Sequence, residues 1–248
     1  MKTILLDSDF YLSMENLFPN IYLLGEVIYK RCRLYNFEGN ESKIKDFINL
    51  MRFLNTYKDF NELNKPINII QESCQMKTAT HAYGYTMNYF NPDDYYLFND
   101  IVNKFDIDNV LKYLNKIKDI LKTNLKNDIV YYNVTGNNIM LSKKEMDIKF
   151  ISPDEVAILG INRLDILEDK INMYKSYMNL VLSHLYPDYK DYEIVDILKK
   201  IDASKELIEY IEYLNNNINP GIFITELNDE FNKYKINYNY TKIKRLQK

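Results

Sequence analysis

Seven apolar residues, Ile107, Val110, Leu111, Leu114, Ile117, Leu121 and Leu125, recur at three- and four-residue intervals near the middle of this chain. That spacing places them on one stripe of a helix about five turns long. Such a stripe must be buried against other elements, so the surrounding sequence has to supply a helical layer. Leu167, Ile171, Tyr174, Met178, Val181, Leu182 and Leu185 form a second stripe, Leu207, Ile208, Ile211 and Leu214 a third, and Ile222, Phe223, Leu227 and Phe231 suggest a last helix. Before Pro92 the pattern differs. IYLLG at 21–25, VIYKRCRLY at 27–35, INIIQES at 67–73 and AYGYTMNYF at 82–90 are rich in β-branched and aromatic residues and read as strands. Between them ESKIKDFINLMRFLNTYKDF at 41–60 carries Ile44, Phe47, Ile48, Met51 and Leu54 at helical spacing, with Ser42 placed to cap its start.

Strands and one helix followed mainly by helices predict an α+β chain, with a small β-rich lobe over 1–90 and a larger helical lobe over 91–248. The boundary is expected near 88–94, at the turn signal NPDD. A length of 248 residues is enough to bury a sizeable core. No stretch approaches the roughly 18 uninterrupted apolar residues of a membrane span, so no membrane partner is expected. Asp7 and Asp9 interrupt the first apolar run, which therefore does not read as a signal peptide. Cys32 and Cys74 are too few for a disulfide framework or a zinc site, which suits a reducing cytoplasm. A net charge of −3 gives no field that would draw the chain to nucleic acid, and the basic end TKIKRLQK at 241–248 is expected to be solvated. Abundant Asn, Ile, Lys and Tyr with no Trp point to an AT-rich genome, such as a low-GC bacterium or its phage.

The chemistry-bearing stretch is IVYYNVTGNNIML at 129–141, a strand entering a polar loop and a second strand leaving it, followed by IKFISPDEVAI at 148–158. His81 and His184 have no Ser, Cys or second His at a spacing that makes a triad or a metal site.

The order of these parts resembles the protein-kinase-like fold, the family of protein kinases and of aminoglycoside and choline phosphotransferases. The resemblance makes Lys30, at the end of VIYK, the counterpart of the phosphate-pairing lysine. It makes Asp46 the helix acid that faces this lysine, with Glu41 a second candidate, and puts the adenine-contacting backbone at Met87 to Tyr89. Asn133 takes the position of the family's catalytic Asp, Asn138 that of its metal-binding Asn, and Ser152 that of its metal-binding Asp. Asp154 and Glu155, two and three residues on, are the acids that could take over from Ser152. Gly25 is the only glycine before Lys30, whereas close backbone cover of phosphates normally takes several.

The departures carry chemical weight. An amide at 133 has no conjugate acid near neutral pH and cannot be a general base. A serine at 152 offers magnesium no charge, and magnesium favours carboxylates together with the substrate's phosphates. The expectation is therefore a pseudokinase: a catalytically impaired scaffold for an unknown protein partner, with ATP and magnesium bound weakly or not at all. Two alternatives stand beside it. One is an atypical active ATP-dependent phosphotransferase whose metal is carried by Asp154 or Glu155, and the other a mixed helical interaction protein with no kinase ancestry.

Overall fold

The computed structural model describes residues 1–32, 41–73, 82–101, 105, 107–144 and 147–185, together with the isolated positions 196, 199, 205, 209 and 212. In chain order the main elements are β1 (Thr3–Asp7), β2 (Glu15–Phe18), β3 (Ile21–Leu24), β4 (Val27–Cys32), α1 (Glu41–Thr56), β5 (Asn68–Ser73), β6 (Ala82–Asn88), β7 (Tyr95–Leu97), α2 (Ile107–Leu125), β8 (Ile129–Tyr131), β9 (Ile139–Ser142), β10 (Ile148–Phe150), β11 (Val156–Ile158) and α3 (Leu167–Leu185). The class is α+β, as the sequence pattern implies. Two compact units are formed: Met1–Tyr96 with Ile139–Leu164, and Leu97–Asn138 with Asp165–Lys248. Among the described residues no helix is long and apolar enough to cross a membrane.

The first unit is built on a six-stranded sheet of order β1-β5-β6-β4-β3-β2. β1 runs parallel to β5 and every other pairing is antiparallel. Local sequence sets the register of the β2-β3-β4 meander. Leu24 pairs with Val27, leaving Gly25 and Glu26 as a two-residue loop, and Gly25 takes φ +62° at the position where a type II′ hairpin turn calls for glycine. Phe18 pairs with Ile21 across Pro19 and Asn20, and Asn20 adopts φ 66°, the arrangement of a type II turn with Pro first. On one face of this sheet Leu6, Tyr11, Met14 and Ile70 pack with Phe10, Tyr22 and Tyr29. There the Arg31 guanidinium forks onto buried Glu72 at 2.7 and 2.8 Å and lies 4.8 Å from the Tyr11 ring centre.

Helix α1 buries Leu50, Met51 and Leu54, the later residues of its apolar stripe. Ser42 lies inside the helix rather than capping it, because the helix already includes Glu41. The helix also stops short of residue 60. The Thr56 hydroxyl turns back to the Phe53 carbonyl at 3.1 Å, and Phe60 leaves to pack on Phe150 with ring centres 5.8 Å apart. The hairpin β9-β10 joins this unit through that segment. Phe150 exchanges backbone hydrogen bonds with Glu62 and Asn64, each 2.8 Å long. The turn after β10, Pro153–Glu155, lies against α1.

In the second unit α2 buries Val110, Leu114, Ile117, Leu121 and Leu125 of the stripe read from the sequence, and α3 buries Ile171 and Tyr174 of its own. The Tyr177 hydroxyl donates to the Leu114 carbonyl at 3.0 Å, tying α3 to α2, and β8 is wholly buried beside both helices. The stripes expected around Leu207 to Leu214 and Ile222 to Phe231 lie, for the most part, outside the described residues.

Candidate functional site

Side chains alternate across a strand, so Lys30 and Cys32 share one face of β4, opposite to that of Arg31. Lys30 pairs directly with Tyr85 of β6, which places the phenol beside the ammonium. The close approach of β4 and β6 depends on Gly84, where a Cβ would stand 2.2 Å from the Lys30 carbonyl oxygen.

The turn after β10 delivers Asp154 onto this face. Lys30 Nζ donates to Asp154 Oδ1 at 2.9 Å and lies 3.4 Å from Ser152 Oγ. The Tyr85 hydroxyl donates to the same Oδ1 at 2.5 Å, while the Cys32 thiol sits 3.8 Å from Oδ2. The ion pair is mostly shielded, with side-chain exposures of 18% for Lys30 and 22% for Asp154. Tyr85 is completely buried and Ser152 nearly so.

Burial pulls the Lys30 ammonium toward neutrality, but the charge and hydrogen bond of Asp154, with smaller help from Cys32 and Glu155, hold its pKa above the usual lysine value. Cys32 is pushed well above the ordinary thiol range, first by burial and then by the Asp154 carboxylate, with Lys30 opposing in part. A thiol held protonated in this way is a poor nucleophile, and Cys32 packs rather than reacts.

The polar loop Tyr132–Asn138 belongs to the second unit and is braced from several sides. The Asn138 side-chain amide donates to the Asn133 carbonyl at 3.2 Å, and the Thr135 N–H donates to the same carbonyl at 3.0 Å. Ser176 of α3 accepts from the Val134 N–H at 2.9 Å and donates to the Tyr132 carbonyl at 3.2 Å. Asn99 donates to the Asn137 side-chain oxygen at 2.6 Å and crowds Gly136, where any Cβ would collide with it. Asn138 here uses its amide to fix the loop, a role open to an Asn beside a turn whether or not a metal is near.

Lys30, Ser152 and Asp154 come together in the first unit; Asn133 and Asn138 come together in the second. Asp46 is half-buried on α1 and, among the described residues, has no hydrogen bond or ion pair to Lys30. Met87 is buried on β6 opposite Ile28, and the half-buried Tyr89 donates its N–H to the Glu26 carbonyl at 3.1 Å. The neighbouring Asn88 carbonyl accepts from the Asn64 side chain at 2.9 Å. His81 and the side chain of His184 lie outside the described residues.

The part of the site that sequence reading missed is Tyr85. Its signal was the pairing of VIYKRC with AYGYTMN, which sets Tyr85 opposite Lys30, but nothing in either strand alone states that register.

Nucleotide and magnesium would have to be held by these same groups. Lys30 is the only cation of the Lys30–Asp154–Tyr85–Cys32 cluster and Asp154 its only acid, and each already neutralises the other. Among the described residues no group of three or more His, Cys, Asp or Glu side chains is placed to hold a metal. One carboxylate can bind magnesium if substrate phosphates complete its shell, and one oxygen of Asp154, Oδ1, is already shared by Lys30 and Tyr85. The Asn88 carbonyl and the Tyr89 N–H noted above are likewise engaged within the unit.

No protein-family model matches the chain, and no curated protein matches it. Among solved structures it is similar to the kinase PK-1 of Cydia pomonella granulovirus, with 15% sequence identity, coverage of 78% of this chain and 82% of that one, and a TM-score of 0.44. A likeness of this size assigns no activity and no partner.

Proposed function

We propose that the chain is a kinase-like protein that has given up phosphotransfer and acts as a scaffold or regulator by binding another protein. The reading rests on the order of its motifs and on one observation above the others: the lysine meant to meet phosphate is neutralised inside its own unit by Asp154, whose accepting oxygen also receives Tyr85. Asn133 supports it from the second unit, because its amide cannot take a proton from an acceptor hydroxyl. Positioning and charge neutralisation supply nearly all of the catalysis in phosphoryl transfer, so losses at these two places fall on the essential terms.

A phosphotransfer assay with γ-labelled ATP, magnesium and general protein acceptors tests the reading. Wild type and Asp154→Ala are expected to give the same background. Turnover by the wild type that Asp154→Ala abolishes would overturn it.

That second result would select an atypical active phosphotransferase. It is favoured by a specific placement, since Asp154 is the acid beside Lys30 and stands two residues beyond Ser152, in reach of whatever Lys30 binds. In that reading Asp154 carries the metal and Lys30 the phosphates.

A further inference from the structure

The Lys30–Asp154 ion pair invites the assumption that charge attraction fixes the Pro153–Glu155 turn on the sheet. The geometry points elsewhere. We propose that Tyr85, not Lys30, is the positioning residue of this cluster: its phenol latches Asp154 in place, and Lys30 follows the carboxylate. This deepens the proposed function by naming the device that keeps the site closed, and it rests on that reading for its regulatory meaning.

Three observations carry the inference. Tyr85 is 0% exposed, and its ring is a rigid arm with two torsions held by the surrounding packing. Lys30 is 18% exposed and reaches Asp154 through a flexible four-carbon stem, whose ammonium is shared with Ser152. Both contacts have the ordinary charge-assisted length for their donor, 2.5 Å for the phenol oxygen and 2.9 Å for the ammonium on the same Asp154 Oδ1, so the phenol is a full partner of that oxygen. Asp154 lies between Ser152–Pro153 and β11, both buried, so the main chain on either side of it is held and its side chain is the part left to be positioned.

Cys32 supplies the readout, because its thiol sits 3.8 Å from Oδ2, the other oxygen of the Asp154 carboxylate. A carboxylate swung outward uncovers this sulfur, relieving the burial that chiefly holds it protonated, and removes the negative charge that adds to that effect, and both changes speed alkylation. The experiment follows iodoacetamide labelling of the Cys32 peptide by mass spectrometry, at one fixed pH, in wild type, Tyr85→Phe, Lys30→Met and, as the open reference, Asp154→Ala. Phe keeps the buried ring and removes only the hydrogen bond. The expected result is that Tyr85→Phe labels about tenfold faster than wild type, as loss of a bond to a charged group implies, and approaches the open reference. Lys30→Met is expected to stay within about twofold of wild type.

Wild-type labelling in Tyr85→Phe, or a rate near the open reference in Lys30→Met, would overturn the assignment. The Lys30→Met arm decides alone if Tyr85→Phe does not fold. No nucleotide enters the assay, so nucleotide turnover by the wild type would remove the proposed function without touching this result.

Discussion

Lys30 is subject to two opposed demands, burial that favours the neutral amine and a carboxylate at 2.9 Å that favours the ammonium, and the carboxylate prevails. The sign of the pH effect follows. The folded state binds the Lys30 proton more tightly than the unfolded chain does, so the stabilisation is complete below the ordinary lysine value of about 10.4 and disappears as pH rises through the higher folded value. Thermal midpoints of wild type and Lys30→Met should therefore differ by a constant amount from neutral pH to about pH 9.5 and converge only above about 10.5. A difference that already vanishes near neutral pH would show that the pair contributes nothing. At this scale the sequence was partly legible. Lys30 and Asp154 stood out only through the kinase-like resemblance, Lys30 at the end of VIYK and Asp154 two residues after Ser152, whereas Tyr85 was lost among 23 tyrosines.

At the scale of elements, periodicity was the dependable signal. The α2 stripe from Ile107 to Leu125 and the α1 stripe ending in Leu54 were read directly, because a buried helical face leaves a 3.6-residue imprint. The short edge strands β1 and β2 were not read. Thr3–Asp7 is short and runs into a polar turn, and its identity as a strand comes from its parallel pairing to distant β5. Register is likewise invisible until both partners are known, and Gly84 shows what rides on it. Because any side chain there would strike the main chain of Lys30, Gly84→Ala must force β4 and β6 apart. The expected cost is about 1–3 kcal/mol, a fall in thermal midpoint of roughly 5 °C. Calorimetry showing an unchanged midpoint would mean that the strands are not held at this spacing.

For the whole molecule, the α+β class followed from one change of pattern near Pro92, since strand-type runs on one side and helical stripes on the other leave few ways to share a core. What the sequence did not convey is that Ile139–Leu164 folds with the N-terminal sheet, a long-range association made through Phe60, Glu62, Asn64 and Phe150. That association brings Asp154 to Lys30 and so decides how the site is read. In the function proposed above, this site is closed upon itself and does not serve a nucleotide. Isothermal titration of ATP into wild type and Lys30→Ala, with and without magnesium, tests this proposal. The closed site predicts no saturable heat up to about 1 mM ATP in any of the four titrations. Saturable binding that magnesium strengthens and Lys30→Ala abolishes would contradict it.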